Sequence, residues 1–93
     1  MKDYHFTDNT EASRYELRDG EVIAKIDYVK TKNGRVYLTH TEVSYGWEGK
    51  GIGSRIVEQA LADIRRQGLK VVPSCPFVAA YIRQHPEWEC LAT

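Results

Sequence analysis

The sequence has little of what would mark a specialised class. Its two cysteines, Cys75 and Cys90, are too few for a disulfide scaffold. Neither sign of charge is in excess: Lys plus Arg number 13, and Asp plus Glu number 13. That balance argues against nucleic acid or anionic lipid as a partner, because both affinities rest on cationic charge. No run approaches the roughly 18 apolar residues of a membrane span. The start, Met1-Lys2-Asp3-Tyr4-His5-Phe6, has no apolar stretch of signal-peptide length. There is no repeat and no low-complexity segment. These absences leave a cytoplasmic domain with reduced thiols as the expectation. What is present fits it: 42% apolar and 28% charged residues are ordinary for a globular chain. At roughly 100–200 residues per domain, residues 1–93 read as one small domain. So short a chain buries limited area, so a ligand or a second copy would help it, and a monomer or weak homodimer is expected.

Residues 1–12 read as a loose arm, with a short edge strand at Tyr4–Phe6. From Ser13 to Arg18, Tyr15 and Leu17 alternate with Arg14, Glu16 and Arg18, the pattern of a half-buried strand. Asp19-Gly20 is a hairpin signal. The next strand, Glu21 to Lys30, sets Val22, Ala24, Ile26 and Tyr28 on one face. Asn33-Gly34 marks a second hairpin, and Arg35 to Ser44 a third strand rich in β-branched and aromatic residues. The first half is thus expected to be an antiparallel three-strand meander. A helix follows, with Ile56, Val57, Ala60, Leu61 and Ile64 at helical spacing, closed by Gly68 after Arg65 and Arg66. Lys70 to Pro73 reads as a short buried strand parallel to the third. Pro76 suits the first turn of a second helix through Gln84, which His85-Pro86 ends, with room for one more turn before Thr93. The fold class is α+β: a meander, one β-α-β crossover and a C-terminal helix.

The segment from Gly46 to Ser54 lies between a strand and a helix. Its glycines let the backbone turn sharply and approach a ligand, and a helix start offers unpaired N–H groups. This makes a site for a phosphate or pyrophosphate; the alternative is a turn that packs the helix close to the sheet. Two phosphate motifs fail on spacing. A dinucleotide fingerprint needs glycine where Ser54 stands, and a Walker loop needs four residues between its first glycine and Gly-Lys.

Strand, Gly49-Lys50-Gly51-Ile52-Gly53 and amphipathic helix resemble the acetyl-CoA loop of the GNAT N-acyltransferases, Q/R-x-x-G-x-G/A. Glu48 stands where Gln or Arg is usual, which removes one polar or cationic contact and leaves the amides untouched. His40-Thr41-Glu42-Val43, Pro73-Ser74-Cys75-Pro76-Phe77, Tyr81 and His85-Pro86 are similar to the small single-domain branch of that family. The resemblance implies a truncated GNAT fold without the usual N-terminal helices and last strand pair. It implies acetyl-CoA or coenzyme A as co-substrate and an amine, on a small molecule or peptide, as acceptor. The implied cofactor residues are Gly49, Lys50, Gly51, Ile52, Gly53, Ser54 and Arg55 around the pyrophosphate. Val43, Pro73 and Ser74 would lie along the pantetheine arm.

Acyl transfer to an amine needs a base, a polarised carbonyl and a protonated leaving group. Cys75, between two prolines after the fourth strand, is a candidate to take the acyl group covalently; the alternative is a small buried hydrophobe. By alternation His40 and Glu42 share a face with Val36 and Leu38, which makes the two candidates for the general base, His40 for preference, to activate an amine or Cys75; the alternative is a strand-end histidine satisfied by a hydrogen bond. A bulge in this strand would change that face. Tyr81 resembles the tyrosine that protonates the leaving thiolate in GNAT enzymes; the alternative is an aromatic core residue. Trp47 and Trp88 read as packing or a dimer surface, and no metal-ligand spacing is present. The expected function is acetyl-CoA-dependent N-acyltransfer, with a CoA-binding module of weak or no activity as the alternative.

Overall fold

The computed structural model describes residues 4–93. Five strands form one sheet in the order β1 (His5–Asn9), β2 (Arg14–Asp19), β3 (Glu21–Lys30), β4 (Arg35–Val43) and β5 (Lys70–Pro73). The first four are antiparallel neighbours, and β4 and β5 run parallel. The expected three-strand meander is extended by the edge strand, which runs over His5–Asn9 where Tyr4–Phe6 was expected. β1 is largely polar and carries no clear alternation, yet it pairs with β2 from His5↔Arg18 to Asn9↔Arg14. The expected arm survives only as the short connection to β2, and Met1–Asp3 of it lie outside the described residues.

Helix α1 (Ile52–Arg66) crosses from β4 to β5. Its apolar stripe, Ile52, Ile56, Val57, Ala60, Leu61 and Ile64, is buried against Tyr15, Leu17, Ile26, Val36 and Leu38 on one face of the sheet. Its end is a Schellman motif: Gly68 N–H donates to Arg65 O, and Leu69 N–H to Ile64 O. Gly68 takes φ 74, a left-handed conformation that favours glycine. Helix α2 (Pro76–Gln84) and a closing 3₁₀ helix (Pro86–Leu91) complete the same core through Val78, Ile82, Trp88 and Leu91. Of β5 only Val71 is fully buried, less than the expected buried strand.

Two bulges displace the expected alternation. At Leu17/Arg18 the register shifts so that Leu17 faces Ala24 and Arg18 faces Val22. Ile23 is the extra residue; it is buried, and Val22 is only half-buried. In β4, Tyr28 faces Leu38 but Asp27 faces His40, which leaves Thr39 extra. Beyond Thr39 the side-chain order reverses. Thr41 and Val43 turn toward the core side, and His40 and Glu42 stand exposed on the outer face. The expectation that His40 and Glu42 share a face with Val36 and Leu38 is corrected by this single inserted residue.

The outer face is a chain of charges. Glu16, with 1% of its surface exposed, accepts from Arg14 Nε at 2.6 Å, Arg18 Nη2 at 2.7 Å and Asn9 Nδ2 at 3.1 Å. Lys25 Nζ lies 3.5 Å from Asp27 and 4.0 Å from Glu42, and His40 Nε2 lies 3.5 Å from Glu42. No helix of the described residues is long and apolar enough to cross a membrane.

Candidate active site

β4 and β5 pair only as far as Leu38↔Pro73, and Cys75 N–H then donates to Leu38 O at 2.9 Å. Past that point β4 continues to Val43 while the chain after β5 turns into α2. A cleft opens between them, and α1 begins at its mouth.

The start of α1 carries no side-chain cap. Its N-cap, Gly51, is left-handed with φ 75. The first turn holds no acidic residue. Its leading amides therefore have no partner from a capping side chain, at the positive end of the helix dipole. Gly49 also takes φ 75, so the loop is a left-handed approach that side chains would strain. Glu48 does not compete for these amides. Its carboxylate accepts from Gly46 N–H at 2.8 Å, upstream in the loop.

Two grooves flank this start. One, of about 260 Å³, is lined by Val43, Trp47, Gly49, Gly51, Gly53 and Phe77 among others. Gly53 lies close under Phe77: a Cβ on it would lie 2.8 Å from the ring, which would have to move aside. The other, of about 650 Å³, lies over the outer side of α1 and holds Lys50, Ser54, Arg55, Gln59, Tyr81 and His85. Arg55 is half-buried, with its guanidinium 5.0 Å from the centre of the Tyr4 ring, whereas Lys50 is exposed. Tyr4 packs edge-on against Trp47 at 6.0 Å.

Cys75 is the N-cap of α2 and is 5% exposed. Its Sγ lies 3.4 Å from Thr41 Oγ1. Burial alone would push the thiol pKa up. The Thr41 hydroxyl, and then the nearby backbone of Val78, Phe77 and Thr41, favour the charged sulfur enough to outweigh burial, and the thiol ends below its ordinary value, although the Cys75 side chain makes no cap hydrogen bond to α2. Val43 lines the smaller groove, and Thr41, two residues earlier on the same face, touches the thiol. The groove and the sulfur thus share one side of β4.

Tyr81 is 6% exposed, and its ring stacks on His85 at 4.0 Å. Burial, and then the nearby Glu58 and Glu87 carboxylates, hold its phenol pKa above the ordinary value despite a hydrogen bond with Trp88. It lines the larger groove, and Cys75 does not. Pro73 pairs with Leu38, and Ser74 is exposed with its N–H donated to Val72 O. The structure thus gathers Val43 and the loop from Gly49 to Ser54 into one region, and sets Cys75 against Thr41. It leaves His40 and Glu42 on the far face of the sheet, and sets Tyr81 in the larger groove with Lys50, Gly51, Ile52, Ser54 and Arg55, away from Cys75. Thr41 and Phe77 were not singled out from the sequence. Only the bulge turns Thr41 inward, and alternation gives no sign of it.

A family model of the GCN5-related N-acetyltransferases matches residues 14–91. The chain therefore belongs to the GCN5-related N-acetyltransferase family, whose acetyltransferases use acetyl-CoA as co-substrate. A GCN5-like protein from Staphylococcus aureus, assigned as an N-acetyltransferase and solved by NMR, superposes on 100% of this chain and 91% of its own, with a TM-score of 0.76 and 21% identity. An IAA acetyltransferase from Bacillus cereus matches over 76% of this chain and 51% of its own (TM-score 0.58, 21% identity). Ard1 from Thermoplasma volcanium matches over 82% and 53% (TM-score 0.57, 21% identity). At these identities the likeness shows the fold, here in a small GNAT form that spans about half of the last two proteins. No curated protein matches the sequence significantly.

Proposed function

We propose that the chain is an acetyl-CoA-dependent N-acetyltransferase, with the pyrophosphate held on the backbone amides from Gly49 to Ser54 and Cys75 as the acyl-accepting nucleophile. The observation that carries this reading is the uncapped, acid-free start of α1 behind two left-handed glycines. Bound acetyl-CoA would supply an acetyl group already activated as a thioester. Ile52 contributes its amide, since its side chain is buried in the core. Lys50 and Arg55 add positive charge at the rim. Val43, Gly53 and Phe77 shape the passage for the pantetheine arm, and Pro73 and Ser74 stand where the strands part.

The chain's own chemistry centres on Cys75. With its pKa lowered, the thiol is more often ionised near neutral pH, and the thiolate is the nucleophile. The amine acceptor, on a small molecule or a peptide, then takes the acetyl group from sulfur. His40 and Glu42 face away from the thiol, so in this reading the amine that discharges Cys75 loses its proton to solvent and not to His40. Tyr81 keeps its proton at neutral pH and is the candidate acid. It lies apart from the thiol, so Tyr81→Phe should cost less activity than Cys75→Ala.

A second reading, a CoA-binding module with weak or no transfer, is favoured by one observation: the His40–Glu42 pair stands on the opposite face of β4 from Thr41 and the thiol. Intact mass recorded with CoA release during incubation with acetyl-CoA separates the two. The transferase reading predicts an acetyl adduct on Cys75 that amines discharge, with CoA released. CoA binding without adduct or release supports the module and contradicts the nucleophile.

A further inference from the structure

The bulge at Thr39 exchanges the residue that meets the thiol. Without it, alternation from Val36 and Leu38 would bring His40 inward; with it, Thr41 arrives, its hydroxyl 3.4 Å from Cys75 Sγ. Cys75 is the N-cap of α2, yet its side chain makes no cap hydrogen bond to that helix. The hydrogen bond that the geometry gives this sulfur is the one with the Thr41 hydroxyl, from a separate element. The hydroxyl from β4 is a feature that packing does not require, since a β-branched apolar residue would fill the same half-buried position.

We propose that Thr41 is the positioning residue of the Cys75 thiolate: its hydroxyl accepts the thiol proton in the neutral state and turns to donate once the sulfur is ionised, holding the sulfur toward the groove that Val43 and Phe77 line. This rests on the reading of Cys75 as nucleophile. On ionisation the S–H bond breaks, the proton passes to solvent and the electron pair stays on sulfur. The Thr41 O–H then rotates toward that pair. A hydroxyl donor stabilises the charged form selectively.

Few charges compete for control of this ionisation. On β4, His40 and Glu42 face away. The first turn of α2 is Pro76, Phe77 and Val78, and the one charged residue of β5, Lys70, stands exposed at its far end. The start of α1 presents Ile52, Gly53, Ile56 and Val57 to the core. Its buried carboxylate, Asp63, lies about three turns on and accepts from the Tyr15 hydroxyl.

The test is a pH titration of the thiolate's ultraviolet absorbance in chains that all carry Cys90→Ser. Each is measured as a difference against its Cys75→Ser counterpart, which removes tyrosine ionisation. Thr41→Val should raise the midpoint by about one pH unit, a tenfold change in ionisation constant. Thr41→Ala, which removes the hydroxyl without adding a methyl, should move it the same way, and Thr41→Ser should restore the original midpoint. Coincident midpoints for the wild type and the hydroxyl-free variants overturn the proposal, as does a Thr41→Ser midpoint that stays with Thr41→Val. No ligand is present, so the result is separable from the nucleophile reading. A shifted midpoint without any acetyl adduct sinks that reading alone, and an adduct with unshifted midpoints sinks this one alone.

Discussion

Gly51 and Gly53 lie two residues apart, and a side chain at each would act differently. Gly51 has open space around its Cα but sits at φ 75; Gly53 has an ordinary φ, but its Cβ would strike the Phe77 ring. Gly51→Ala should therefore act through backbone strain of roughly 1 kcal/mol, read as a lowered denaturation midpoint. Gly53→Val should act on the ligand: Phe77, 43% exposed, can swing aside, but the valine then fills the passage. A tenfold or greater loss of CoA affinity by calorimetry, about 1.4 kcal/mol, with little change in stability, is the expected result; unchanged affinity would remove this groove from the account. Lys50 is exposed, and an exposed contact with phosphate is screened by water and salt. Lys50→Ala should weaken CoA binding less than about tenfold in physiological salt; a hundredfold loss would shift the weight from the amides to the lysine.

Among the elements, α1 and the hairpins were legible because their signals are local. Ile56, Val57, Ala60, Leu61 and Ile64 announce a helix by spacing, Gly68 its end, and Asp19-Gly20 a turn. β1 was legible only in part: an edge strand was expected at Tyr4–Phe6, whereas its extension to Asn9 comes from pairing with β2 rather than from its own sequence. The reversal in β4 was not legible. One extra residue at Thr39 leaves the composition of the strand unchanged and moves every later side chain to the other face. The glycine loop could therefore be read from the sequence, whereas the neighbour of Cys75 could not. β2 makes a further prediction. Burial alone would raise the Glu16 pKa, but its bonds to Arg14, Asn9 and Arg18 hold it below the ordinary value. A carboxyl lowered by folding contributes stability above its unfolded pKa of about 4.3, and that stability is lost as pH falls through the lower folded value. Glu16→Gln should flatten the fall in Tm below about pH 4.3. Parallel curves for both chains would show that Glu16 carries no acid sensitivity.

For the whole molecule, the sheet, α1 and α2 share one core, and the candidate ligand site lies where the start of α1 meets the parting of β4 from the turn into α2. A ligand bound there joins three elements and should stabilise all of them together. At a hundredfold excess over its dissociation constant, CoA should add about 2.7 kcal/mol of stability, seen as a concentration-dependent rise in Tm. The most direct test of the central claim is an amide-resolved NMR titration with CoA. The account predicts saturable shifts centred on the amides from Gly49 to Ser54, extending to Val43 and Phe77, while the outer-face residues Glu16 and Lys25 stay still. No shift at millimolar CoA, or shifts centred away from the start of α1, would contradict it.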